Sequence, residues 1–533
     1  MNVKKLVCSI ISLSLLVNCG IAALPVSASA VDTDTEIYIS PDGNDSNSGS
    51  SESPFKTLER AKAEVRVHNS NMSGNIIVNI ASGVYYMDNT LEFTQADSGT
   101  NGFSVIYRGI TDENGNSPIV SGGVDISDNW ELYDESLNIY KHENIDWSFR
   151  QLYTNNDRAI RARVPNLENK ETGGPYFRAS GGDGSYPLFI GTNNEYAQKA
   201  GNDAEIIWNS SWSQFRARIE SYNSSTGRVT FKAPDNSFAW NHHTQGDTPF
   251  YLENSLAYLD SEGEWYLDKD TSTLYYKPRE GEIMNKTEII APKLETIIDI
   301  NGTDENKTEN ITFDGIQFLH SNWLAPDSYG YCSVQGGFRY QSEGGKDNSA
   351  IRGSARYDAP KSMVQLRHTK NISLINSEFS FSGSWGIMGY EDTENTFIDH
   401  NVFTKNAGGG VTMGMAGREW DDQTENEQPR TYTDMDGQSR YDTITNNYID
   451  HVACEYQDMV GIGAMLPQHM TIANNEIGYL PYTGINIGWN WLDTDHGMTA
   501  NKVYQNYIHN TCMLLQDGGG IYSLGRMNGD SNF

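Results

Sequence analysis

Positive charge, cysteine and proline are all scarce in this chain. Lys and Arg number 38 against 70 Asp and Glu, for a formal net charge of -32 over 533 residues. So acidic a surface repels nucleic acid and anionic membranes, and neither is an expected partner. Of the 5 cysteines, Cys8 and Cys19 lie in the leading 30 residues, which leaves Cys332, Cys454 and Cys512. Three cysteines cannot build a disulfide framework, and their spacings match no zinc pattern, so no metal or other cofactor is expected. Cys454 and Cys512 fall in matching loops, which allows one bridge between them or, the favoured expectation, two buried free thiols. The chain has no Gly-x-Ser-x-Gly nucleophile elbow and no phosphate-binding loop. Beyond residue 30 no run is apolar enough to span a bilayer.

Residues 1–30 read as a secretory signal. Lys4 and Lys5 form the basic start, Leu6 to Leu24 the apolar stretch, and Ala28-Ser29-Ala30 a small-residue cleavage site. The polar interruptions Ser9, Ser12, Ser14 and Asn18 argue against a membrane anchor, and Asn18 fits poorly before a lipid-modified Cys19. A secreted, extracellular monomer is expected.

Residues 31–148 read as an N-terminal cap with the first strands of the fold. Tyr38 to Gly49 is a strand entering a polar turn, and Pro54 opens a short helix with Leu58, Ala61 and Val65 on one face. Residues 149–290 are strand-rich without a repeat, as in Glu264 to Leu267, and read as a β-rich insertion. From 291 to 533 the chain is periodic. The pattern apolar-x-x-polar-x-apolar recurs at Leu374, Ile398, Ile444, Ile472 and Val503, with spacings of 24, 46, 28 and 31; the longest covers a polar insertion near Arg418 to Arg440. Rungs of this length predict an all-β, right-handed parallel β-helix. The fourth positions Asn401, Asn447, Asn475 and Asn506 predict a ladder of stacked amides, each residue also suited to a left-handed turn.

Each rung then carries a second strand led by glycine: Gly386, Gly410, Gly461, Gly484 and Gly520 lie 12, 12, 17, 12 and 17 residues after the rung's first apolar residue. The two longer rungs share a five-residue extension, and each places Gln-Asp at offsets 13 and 14: Gln457-Asp458 and Gln516-Asp517. Pro481 stands at the aspartate's place in the rung between. Stacked rungs lie about 4.8 Å apart, so Asp458 and Asp517 are expected roughly 9.6 Å from each other. That is near the upper end of the separation of about 6.5–9.5 Å used by inverting glycosidases. The competing expectation is that both aspartates bond loop amides. Gln457 and Gln516 are candidate sugar-binding groups beside the two acids. Trp489 and Trp491 are candidate platforms for sugar rings, and one of the two is expected to plug the edge of the solenoid instead. His320 and His451, at equivalent places after their strands, are candidates for binding sugar hydroxyls, and equally for ordinary turn residues. Asp493, Asp495 and His496 form a lesser polar cluster. A polysaccharide lyase or epimerase would need a basic proton abstractor, for which Arg367 and Arg526 are available, and a non-catalytic carbohydrate-binding surface protein is the third reading.

Several segments carry a family resemblance. They are Tyr38 to Gly43 with Pro54 to Leu58, Arg150-Gln151-Leu152-Tyr153 leading to Arg158 to Arg163, Tyr482-Thr483-Gly484-Ile485 with Gly488 to Trp491, and Asp517 to Tyr522. Together they resemble the secreted β-helix carbohydrate-active proteins, most closely glycoside hydrolase family 141. The resemblance implies a hydrolase of plant cell-wall polysaccharide, with xylanase and fucosidase activities associated with the family, and implies that Asp517 is one catalytic carboxylate. It also implies further rungs beyond Phe533 offering another acid, in which case Asp458 binds or orients substrate.

Overall fold

The repeating hexapeptide is two strands and a corner. In Ile444 to Ile449 the first apolar residue lies in the strand Thr443–Thr445, the second in Tyr448–Asp450, and Asn447 stands between them. Both isoleucines are wholly buried. A third, glycine-led strand completes each coil, so the chain wraps a three-sided parallel β-helix. The computed structural model describes residues 34–170, 173–182, 188–235, 247–343, 356–414, 437–489 and 495–533. The expected signal at 1–30 lies outside these residues.

Sheet I runs from Thr35–Ile39 through Ile76–Ala81, Val105–Ile110 and Thr308–Asp314 to Thr471–Ala473 and Lys502–Tyr504. Sheet II stacks Val84–Tyr86 through Tyr448–Asp450 to Tyr507–Ile508. Sheet III stacks Leu91–Phe93 and Ile298–Asn301 up to Ile485–Ile487 and Ile521–Ser523. The strand Ser362–Ile375 is long enough to belong first to sheet III and then to sheet I. Like residues lie over like inside the coil: Phe318, Phe379 and Phe403 stack with ring centres 5.3 Å apart at each step.

Two columns of small polar or glycine residues hold the rungs in register. In the amide ladder, the Nδ2 of Asn401 donates to the Oδ1 of Asn447 at 3.1 Å, Asn447 to Asn475 at 2.9 Å, and Asn475 to Asn506 at 2.9 Å. The expected left-handed turn falls one residue earlier, at His400, Asn446, Asn474 and Gln505 (φ 55–57°). The ladder residues themselves are left free to aim their amides along the stack. At the head of sheet III, a Cβ on Gly410, Gly461 or Gly484 would come within 2.7–2.8 Å of the carbonyl oxygen of the equivalent glycine one rung on. Only glycine permits that approach.

The helix is Leu58–His68, capped by Thr57 rather than opened by Pro54, because the Thr57 hydroxyl accepts the Arg60 amide. Its buried face is Leu58, Ala61 and Val65, as expected. The insertion leaves sheet II after Ile119–Ser121, and its antiparallel pairing begins at Gly123–Asp125, which lies against Ile289–Pro292. Antiparallel pairing thus starts earlier than residue 149. Its centre is the hairpin of Glu205–Asn209 and Gln214–Asn223, flanked by Pro249–Glu253. Within it Glu264 is buried and accepts the amides of Asp260, Ser261 and Arg163.

Asn447→Ala is expected to lower stability by about 2–4 kcal/mol, because it takes the partner from the buried Ile398 carbonyl and from the backbone amide and one side-chain N–H of Asn401; thermal melts followed by circular dichroism check this. Burial raises the Glu264 carboxyl from 4.5 to about 7, against the pull of its three amides. The folded protein therefore holds this proton more tightly than the unfolded chain, and stability falls as pH rises through that window. Glu264→Gln is expected to shrink the loss of melting temperature between about pH 5 and about pH 8.

Candidate active site

Every long excursion on one side of the coil leaves from the corner between sheets II and III. The insertion, the loop after Leu319, and the extended loops 451–461 and 509–520 all do so. The last two have the same internal geometry. Consecutive amides of Glu455 and Tyr456 donate to the Ala407 carbonyl, as those of Leu514 and Leu515 do to Pro481. Asp458 and Asp517 are two rungs apart on this corner, since Ile462 pairs with Ile485 and Ile485 with Ile521.

Both Gln-Asp pairs meet the tip of the insertion's hairpin, but in opposite ways. Asp458 is wholly buried. Tyr331 donates to its Oδ1 at 2.6 Å, and Oδ2 accepts from the Ser213 hydroxyl at 3.1 Å, the Gln214 amide at 3.2 Å and the Ser333 hydroxyl. Burial pushes its carboxyl above the ordinary range, although these donors pull it back. Gln457 is buried beside it, its Oε1 accepting from Asn209 at 3.1 Å and Gln214 at 2.8 Å. Asp517 and Gln516 are exposed. Their two backbone amides donate to the Ser211 carbonyl, each at 2.9 Å. Tyr482 donates to the Asp517 carbonyl at 2.6 Å and accepts from Gln335 at 3.0 Å. Burial, with Tyr522 and both aspartates nearby, keeps the Tyr482 phenol protonated. The Asp517 carboxylate makes no hydrogen bond to the described residues, so it stands free on a main chain held from two sides.

Three of the candidate sugar-binding side chains are buried. Trp489 is buried, edge-on to Phe338 at 5.7 Å, because the loop after Leu319 folds over the outside of sheet III. His320 is buried between Tyr153 and Phe381 with its Nδ1 3.1 Å from the Ser121 hydroxyl, and burial lowers its value to about 3, so it stays neutral. Gln457 is consumed by the insertion. His451 is half-exposed, bonded to Asp450 at 2.6 Å and stacked on Tyr479. It shares the left-handed conformation of His320, as their equivalent positions required. Trp491 lies outside the described residues. All three later cysteines are free, and Cys454 is exposed rather than buried.

Sequence reasoning passed over Tyr482, Gln335 and Asn486. Asn486 lies beside Tyr522 on sheet III, wholly buried with neither amide atom hydrogen-bonded among the described residues. A polar residue in a glycine-led apolar strand was the available signal. The arginine-rich segment Arg150 to Arg163 joins insertion to coil. Arg150 grips Glu205 through two nitrogens at 2.9 and 2.8 Å, Arg161 bridges Glu205 and Glu253, and Arg158 pairs with Glu455. Burial alone would raise the Glu455 carboxyl, yet Arg158 and Arg216 hold it below the ordinary range.

A family model described as the GH141 insertion domain matches residues 137–279, which include the hairpin seated on Asp458. A solved structure described as a glycoside hydrolase is similar with TM-score 0.81 and 25% identity, covering 93% of this chain and 87% of the other. A complex of XylC with xylose has TM-score 0.43 at 12% identity, covering 93% and 70%, and a rhamnogalacturonan lyase 0.32 at 10%, covering 89% and 69%. No curated protein matches the chain.

Asp458→Ala strands four donors and is expected to cost about 2–4 kcal/mol, seen as a lower melting temperature and faster proteolysis within 137–279. Asp517→Asn, at an exposed site, is expected to change stability by less than about 0.5 kcal/mol.

Proposed function

We propose that the chain is a secreted GH141-like glycoside hydrolase that cleaves plant cell-wall polysaccharide, xylan-like or fucosylated pectic, with Asp517 as a catalytic carboxylate. The contrast between the two matching aspartates carries this reading. A group that exchanges a proton with a glycosidic oxygen or water must reach it. Both carboxylate oxygens of Asp458 accept hydrogen bonds and the residue is wholly buried, whereas Asp517 is exposed on a main chain held from two sides. Asp458 acts as a positioning residue. It holds Ser213 and Gln214 at the hairpin tip, and the same tip offers the Ser211 carbonyl that fixes the main chain of Asp517. Tyr482 fixes that loop from the other side. Gln516 is a sugar-binding group at the exposed edge, and Asp517 works with a second carboxylate, as O-glycosyl hydrolysis requires.

The test is release of reducing sugar from a panel of xylans and fucosylated pectins. Asp517→Asn is expected to lose about 10²–10⁴-fold in kcat with its fold intact. Asp458→Asn is expected to retain more activity than Asp517→Asn. Full activity in Asp517→Asn would overturn its role. A product absorbing in the ultraviolet would replace hydrolysis by lyase chemistry, and no turnover on any glycan would leave a binding protein.

A further inference from the structure

Between the insertion and the corner of the coil lies a cavity of about 470 Å³, within the usual range of small-ligand sites. Six cationic and four acidic side chains line it, in a chain whose net charge is -32. Most of these cations are neutralised in place. Arg158 pairs with Glu455, Arg161 and Arg216 share Glu253, and Lys170 and Lys405 share Asp157. Arg163 is different. No carboxylate among the described residues lies within ion-pair distance of its guanidinium. Its Nε and Nη2 donate to the carbonyls of Pro165 and Pro175 at 3.0 and 3.4 Å, and the group lies 3.7 Å over the ring of Tyr251. Two carbonyls and a ring hold the fork in one orientation, while Nη1 has no acceptor among the described residues. A fixed guanidinium of this kind suits a planar carboxylate, and because Arg163 is itself buried the attraction exceeds that at an open surface.

We propose that this cavity is a subsite for a hexuronate, the carboxylated sugar unit of an acidic glycan, with Arg163 receiving its carboxylate. The proposal rests on the glycoside-hydrolase reading only for the class of ligand. The insertion's hairpin serves both places, with Arg216 on the cavity wall and Ser211 at Asp517. The subsite therefore binds a unit away from the bond being cut, and it selects acidic over neutral chains.

The test is binding of D-glucuronate, D-galacturonate, D-glucose and glucose 6-sulfate to the full chain by titration calorimetry and saturation-transfer NMR. At least one uronate is expected to bind about tenfold more tightly than glucose, and Arg163→Gln to reduce it to the level of glucose. The two uronates separate a glucuronate side unit from a galacturonate one. Raising the salt concentration is expected to weaken uronate binding by the wild type and leave glucose unchanged; this arm needs no variant. Equal binding of uronates and glucose by the wild type, unaltered uronate binding in a folded Arg163→Gln, or tighter binding of glucose 6-sulfate would overturn the proposal. Asp517→Asn is expected to keep uronate binding, so loss of catalysis and loss of the subsite read out separately.

Discussion

Parallel stacking ties the strands of the three sheets to their equivalents one rung away, and this constraint decides where the rest of the chain can leave the coil. The glycine column of sheet III and the amide ladder tie neighbouring rungs closely, and the extra residue Tyr390, where Trp385–Glu394 bulges against Ser362–Ile375, adds no more than one residue within a strand. The large changes of length fall at corners. The chain uses the corner between sheets II and III for its large insertion, its covering loop and both extended loops, which is why residues distant in sequence converge there.

Inside the insertion the cohesion is of a different kind. Arg150, Arg161 and Arg216 are buried with Glu205 and Glu253 in a shared set of ion pairs. Burial would raise the Glu205 carboxyl, but Arg150 and Arg161 hold it well below its ordinary range. Buried ion pairs of this sort add little net stability compared with apolar packing, but they tolerate few alternative geometries. They suit a module whose job is to place one hairpin tip accurately against another surface.

Much of the coil was legible because its periodicity is a local property of the sequence. Asn401, Asn447, Asn475 and Asn506 announced the ladder, and the glycine-led strands announced sheet III. The number of sheets was hidden, since Ile444 and Ile449 lie five residues apart and straddle a corner that spacing alone does not reveal. The site was legible only as far as the loops repeat. Gln457-Asp458 and Gln516-Asp517 are identical in sequence and offset, and what separates them is cover. Tyr331, Ser333, Ser213 and Gln214 close over the first pair from positions 125–245 residues away. The same reason hid the burial of Trp489 beneath Phe338 and of His320 against Tyr153.

That separation also sets an order of events in folding. The hairpin of the insertion is complete in the chain long before its seat exists, for Ser213 precedes Asp458 by 245 residues. Coils can add one at a time, each templated by the edge of the last. Where coils do add in this order, the hairpin tip, including Trp212, stays without its seat until the rung carrying Gln457 and Asp458 has been laid down. In that order, closure of the corner comes only after coil growth has passed the point where the insertion docks.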